Sequence, residues 1–275
     1  MRTAAGPARL RRPPAHELVF VAVLLALSAA AWLMAHRLAA PDMRVGILTG
    51  AAQGHRSAHD MAPMPMEHAM GAGVFLGVWL VMTAAMMLPA VTPVIVRLDR
   101  LVRRRGDPGV VVYALVTGYL AVWAAAGVAA YGVFLGFQEA VTAGDPMTAA
   151  RVGAAVPLVA GVYQLTPLKR VCLRRCRSPL AVLVRHGERI VGSRTGALRV
   201  GVHHGAFCLG CCWALMVLLL AAGMMSLVWM GAIAAVVLAE KALPHGETLS
   251  RLFGAGLIAL GVLLIAVPGL APALA

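Results

Sequence analysis

Seven apolar runs, each about 20 residues long and set apart by charged or polar segments, dominate the chain: approximately 18–35, 73–96, 110–132, 152–168, 205–222, 227–243 and 252–270. A run of that length matches the hydrocarbon thickness of a bilayer, and a segment in lipid must satisfy its backbone polar groups internally, which leaves the α-helix. The expected fold class is all-α, a polytopic transmembrane helical bundle with about seven spans. Apolar residues make up 61% of the chain and charged residues 13%, half of what a soluble domain carries, so the runs are not the core of a water-soluble protein.

Three regions follow from this pattern. Residues 1–38 form a basic N-terminus and first span; the apolar part is longer than a signal-peptide core and more spans follow, so it reads as an uncleaved signal anchor. Residues 39–72 form an external His/Met-rich segment, whose prolines and small residues argue against a packed domain. Residues 73–275 form a six-span membrane domain with basic cytoplasmic loops at 97–109 and 169–203. Within the second loop, SPLAVLV and GALRVGV read as short amphipathic helices on the inner leaflet. If the N-terminus is cytoplasmic and the spans alternate, 20 of the 24 Lys and Arg lie inside; only Arg37, Arg44, Arg56 and Arg151 lie outside. That split satisfies the positive-inside rule and places the C-terminus externally. The net charge of +13 therefore reads as topology and lipid contact rather than as a nucleic-acid surface.

The sharpest local signal is CLGCC. Cys208, Cys211 and Cys212 are three and four residues apart and so share a helix face, which Met216 continues one turn later; Trp213 adjoins them. Thiolate and thioether sulfur select soft ions such as Cu(I). In the second run Met82 and Met86 are one turn apart, with Met87, Pro89 and Pro93 beside them, at a depth comparable to Cys212 and Met216. The two sulfur groups are therefore expected to meet. A lone cysteine or methionine in such a run is ordinarily packing; it is the clustering that points to a site.

The external segment places His55, His59, Met61, Met64, Met66, His68 and Met70 on a polar stretch that cannot use its methionines as core, as suits the collection of a soft ion. In YQLTPLKRVCLRRC, Tyr163, Gln164, Thr166 and Lys169 surround Pro167, which ends or breaks a helix and frees backbone carbonyls for an ion, a polar neighbour or a cap. Cys172 and Cys176 follow one turn apart. Glu240 and Lys241 are expected to pair at the end of the sixth run, and His203 and His204 to precede the cysteine helix. No phosphate loop, paired-carboxylate site or nucleophile elbow is present, no catalytic residue stands out, and an enzyme is the less expected class.

The strings WLVMTAAMMLPAVTP, YQLTPLKRVCLRRCRSPL, GALRVGVHHGAFCLGCCWALM and GMMSLVWMGAIAAVVLAEK resemble the bacterial family of predicted metal-binding integral membrane proteins called domain of unknown function 2182. The resemblance covers roughly Gly73 to Leu243 and leaves out the His/Met-rich segment. It implies a multispanning fold and a metal site. Its motifs fall on Met86, Met87 and Pro89; on Tyr163, Gln164, Thr166, Pro167 and Lys169; on Cys172 and Cys176; on Cys208, Cys211, Cys212, Trp213 and Met216; and on Glu240 and Lys241.

The expected function is thus a metal-binding integral membrane protein that binds or moves a soft metal, Cu(I) foremost, through Cys and Met ligands. Its expected partners are the lipid bilayer and a metallochaperone or another membrane protein, with no nucleic acid. Two alternatives stand beside it: a membrane thiol oxidoreductase cycling Cys208 with Cys211 or Cys212, and an accessory or assembly subunit with no metal of its own.

Overall fold

The computed structural model describes residues 15–38, 71–104, 110–142, 146–177, 193–224 and 226–267. These form eight α-helices: α1 Ala15–Leu38, α2 Ala72–Arg104, α3 Val110–Thr142, α4 Pro146–Leu165, α5 Pro167–Arg177, α6 Arg194–Ala222, α7 Leu227–Ala242 and α8 Gly246–Ala266. The all-α bundle expected from the apolar runs is what the chain builds.

The span count is lower than expected. Among the described residues four helices are long and apolar enough to cross a membrane, over Ala72–Pro93, Val111–Glu139, Arg194–Ala222 and Gly246–Ala266. The other three expected spans fall short: the apolar stretches of α1 and α4 cover only Val21–Arg37 and Arg151–Leu165, and α7 has 16 residues. Three boundaries also move. Arg97 to Arg104 belong to α2 rather than to a loop. The fourth run ends at Leu165, and Lys169 lies on the separate helix α5. GALRVGV is no surface helix but the start of α6, so His203 and His204 lie within that helix.

Helix α6 is the hub. It packs along α3, receives α5 and α4 on other sides and touches α7, while α1 lies along α2 and α4 along α8. Small residues set the closest approach. A side chain at Gly201 would collide with the Leu115 carbonyl of α3, and one at Gly205 would meet Val122 at 3.1 Å. Spaced four apart, these glycines let two backbones touch, as small-xxx-small interfaces do.

Around a core that is mainly apolar, several polar groups are turned inward while many large apolar side chains lie on the surface. Val128, Leu252 and Val228 are exposed, whereas Gln164, Lys169, Glu240 and Ser250 are buried. Pro89 shows how the interior copes with a defect. It has no N–H for the Ala85 carbonyl one turn back, and Ser28 of α1 donates its hydroxyl to that oxygen at 2.7 Å instead. A second anchor ties α2 to α3, where Trp79 Nε1 donates to the Trp123 carbonyl at 2.9 Å.

Replacing Gly201 by Ala should therefore destabilise the protein by about 1–3 kcal/mol through overpacking, despite alanine's better helix propensity. Gly256→Ala on α8, where open space surrounds the new methyl, should leave stability equal or raise it. Thermal melts of the two variants in detergent check the contrast.

Candidate functional site

Helix α5 begins at a cap written into the sequence. Thr166 accepts the Lys169 N–H on its hydroxyl oxygen at 3.2 Å, and Pro167 takes the first helical position, where a missing N–H costs nothing. The Tyr163 carbonyl that proline would otherwise strand accepts both the Thr166 N–H at 3.0 Å and the Thr166 hydroxyl at 2.7 Å. Of the readings the sequence left open for Pro167, the cap is the one realised, and that carbonyl is already satisfied. Lys169, Cys172, Leu173 and Cys176 are buried, at the i, i+3, i+4, i+7 spacing of one helix face. Outside that stripe, Arg177 donates to the Leu243 and Pro244 carbonyls, and Arg174 bonds Glu247 at 2.6 and 2.9 Å. These exposed bonds run from α5 to the α7–α8 corner.

On α6, fourteen residues separate Cys208 from each end of the helix, which puts it about 21 Å from either terminus. The cysteines are thus mid-helix, not near its start as the shorter run suggested. The Cys176 thiol of α5 lies close enough to those of Cys208 and Cys211 to interact with them, as the Cys208 thiol does with those of Cys211 and Cys212. Four thiols from two helices share one buried spot, and all five cysteines are free. Cys211 and Cys212 also donate to the Cys208 carbonyl, at 3.1 and 2.8 Å. Their sulfurs are turned back onto the helix, and among the described residues no three His, Cys, Asp or Glu side chains form a ready metal cage. Thiol sulfur is nonetheless the kind of donor that a soft ion selects. Cys172 faces Gly210, and burial pushes its thiol above the usual cysteine range.

Two cations complete the arrangement. Lys169, fully buried, bonds the Cys211 carbonyl and reaches Glu240 at 2.7 Å. Glu240 in turn accepts from Gln164 Nε2 at 2.9 Å, and Ser250 donates to Gln164 Oε1 at 3.2 Å. Lys241, part-buried, lies 3.1 Å from Cys208 Sγ and 3.7 Å from Met87 Sδ. Tyr119 of α3 lies 3.1 Å from the same Cys208 sulfur. Tyr163 bonds the Gly210 carbonyl and packs edge-on against Trp213 at 4.8 Å.

Several expectations change. Glu240 does not pair with Lys241, because adjacent helical residues point about 100° apart; Glu240 turns to Lys169 and Lys241 to sulfur. The expected meeting of α2 with the cysteine helix runs through Met87 and Lys241, while Met82, Met86 and Met216 are buried in the shared core. Cys176 joins the thiols although a separate helix carries it. His55, His59, Met61, Met64, Met66, His68 and Met70 lie outside the described residues. Tyr119 had no distinguishing sequence signal. The lysines did: the chain has 22 arginines but only two lysines, Lys169 and Lys241, and both are at this site.

The family described as PpoB2, copper chaperone, matches residues 76–264. The chain belongs to this copper chaperone family. The matched stretch spans α2 to α8 and so contains every residue of the site. It agrees with the resemblance read from the sequence in pointing to a metal-handling family, under the description of a copper chaperone. No curated protein and no solved structure matches the chain.

Breaking the buried Lys169–Glu240 pair from one side should cost about 3–5 kcal/mol, since each partner left alone is an uncompensated charge. Lys169→Met and Glu240→Gln should each lower the melting temperature, and the double variant should lose clearly less than the sum. Arg174→Ala, at an exposed bridge, should melt like the parent.

Proposed function

We propose that the chain is a membrane-embedded copper chaperone of the bacterial inner membrane, which receives Cu(I) at a buried thiol cluster and passes it on. The observation that carries this reading is the convergence of Cys176, Cys208, Cys211 and Cys212 from two helices. Cysteine alone packs well as a small hydrophobe, but packing gives no reason to gather four free thiols beside a lysine ammonium. The copper chaperone family supplies the metal, and the sulfur chemistry agrees with it.

Each structural partner has a part in this reading. Lys169 and Tyr163 grip the Cys211 and Gly210 carbonyls from α5 and α4, fixing the turn of α6 that presents the thiols. Tyr119 and Lys241 address the Cys208 sulfur from α3 and α7. Met87 supplies a neutral thioether beside the thiols, suited to transient rather than permanent hold. The outward-facing apolar surface and the four long apolar helices support lipid as the surround. The His/Met-rich segment, with His55, His59, His68 and its methionines, collects the ion before it reaches the cluster. Delivery to another membrane protein or a metallochaperone follows from the family description.

The test is Cu(I) binding by detergent-purified full chain, measured by elemental analysis and competition with a chromophoric Cu(I) chelator. Cys176→Ser and Cys208→Ser should each weaken binding by about tenfold or more, since hydroxyl is a poor ligand for a soft ion. Cys172→Ser should bind as the parent does, with folding checked by melting in each case. Parent-like binding by both former variants would show the cluster to be packing. Protein that binds no copper but forms a reducible bridge between Cys176 and Cys208 would favour the thiol oxidoreductase.

A further inference from the structure

Lys241 occupies a position that the copper reading does not by itself explain. A positive charge among the donors opposes the entry of a soft cation, because two like charges in a low-dielectric interior repel strongly. Yet the Lys241 nitrogen lies within 3.1 Å of Cys208 Sγ and 3.7 Å of Met87 Sδ, between the thiol cluster of α5 and α6 and the methionine-bearing helix α2. The other lysine has a carboxylate partner, Glu240. Lys241 faces sulfur.

The rest of the molecule sharpens the point. The chain meets its other needs for a cation with arginine, 22 times. Arginine is planar and disperses its charge over a fork, whereas lysine is a compact point charge on a flexible stem that swings by rotamer change. Lys241 is the last-turn residue of α7, two positions before Leu243, whose C-cap N–H returns to the Ala239 carbonyl. A side chain at a helix end has room to turn outward that a mid-helix one lacks, and Lys241 as a whole residue is intermediate in burial although its ammonium is enclosed.

We propose that Lys241 is a displaceable internal cation: its ammonium holds the place between Cys208 and Met87 until a soft monovalent ion takes it, and returns to help expel that ion on delivery. The inference rests on the thiol cluster being the copper site. It makes Lys241 a positioning residue that acts through competition and is not a ligand. Before an ion arrives, the ammonium keeps the sulfurs together and balances negative charge that develops on them. Once the ion is seated, the lysine swings away. As a sulfur leaves the ion, the ammonium re-pairs with it, which lowers the barrier to release. The thioether of Met87 and the thiol of Cys208 are thereby kept from closing permanently on their cargo.

The two-lysine composition gives a direct experiment. Full chain in detergent, labelled with 13C at lysine Cε, should show two signals, assigned through Lys169→Arg. Adding one equivalent of Ag(I), a diamagnetic soft ion, should move the Lys241 signal to a more mobile environment and leave Lys169 in place. In parallel, transfer of bound Ag(I) to a thiol chelator should slow about tenfold in Lys241→Leu, equivalent to about 1.4 kcal/mol of lost barrier lowering, with Ag(I) stoichiometry retained. Lys241→Arg should fall between the two. Bound Ag(I) with an unmoved Lys241 signal, or unchanged or faster release from Lys241→Leu, would overturn the inference and leave the copper site intact. Loss of stoichiometric Ag(I) in Lys241→Leu with an unaltered melt would instead make Lys241 part of the ligand set. Failure of the parent to bind Ag(I) would overturn site and inference together.

Discussion

Lys169 is where the bundle's two requirements meet. Its ammonium touches the Cys211 carbonyl and the Glu240 carboxylate, joining α5, α6 and α7 at a point where none of them alone could satisfy a charge. The pair is almost wholly buried, so neither partner can fall back on water. Such a pair contributes little net stability against an apolar replacement, but it tolerates few alternative arrangements. It ties α5, a helix of only 11 residues, to both α6 and α7. With Lys169 pinned, Cys176 arrives opposite Cys208 and Cys211.

Much of this was readable in the chain. The apolar runs announced a helical bundle, and CLGCC with Cys172 and Cys176 named all five cysteines of interest. The span count was not, because hydropathy registers a stretch such as Leu227–Ala242 as apolar without revealing that the helix stops at 16 residues. Cys208 was placed too near a helix end for a related reason: the polar residues of RTGALRVGVHH interrupt the apolar run but not the helix, which Ser193 starts by capping the Gly196 N–H at 3.1 Å. Adjacent charges misled differently. Glu240 and Lys241 are neighbours in sequence and therefore not on the helix surface, and only the tertiary arrangement shows that each has a separate partner.

Placing soft donors in an apolar interior also has a chemical logic. Sulfur loses little on leaving water compared with oxygen donors, so a bundle core can hold thiols and thioethers without the burial penalty a carboxylate cage would carry. Four of the buried hard groups, Lys169, Glu240, Gln164 and Ser250, are engaged with one another or with backbone. The interior is thus divided into a structural polar chain and a soft-donor cluster, with Cys211 contributing its carbonyl to the first and its thiol to the second. That shared residue makes the geometry of the thiols sensitive to the ion pair behind them.

The bond from Ser28 to the Ala85 carbonyl changes how the first helix should be regarded. A tether to the bilayer needs only length and apolarity, and any such helix would serve. Helix α1 instead repairs the backbone of α2 at the turn that Pro89 leaves open, and that turn carries Met86 and Met87. Its hydroxyl is a missing piece of the neighbouring helix, held in another part of the chain. A foreign helix of equal hydrophobicity in its place would leave that carbonyl without its side-chain partner, one turn before Pro89 on the stretch of α2 that carries Met86 and Met87.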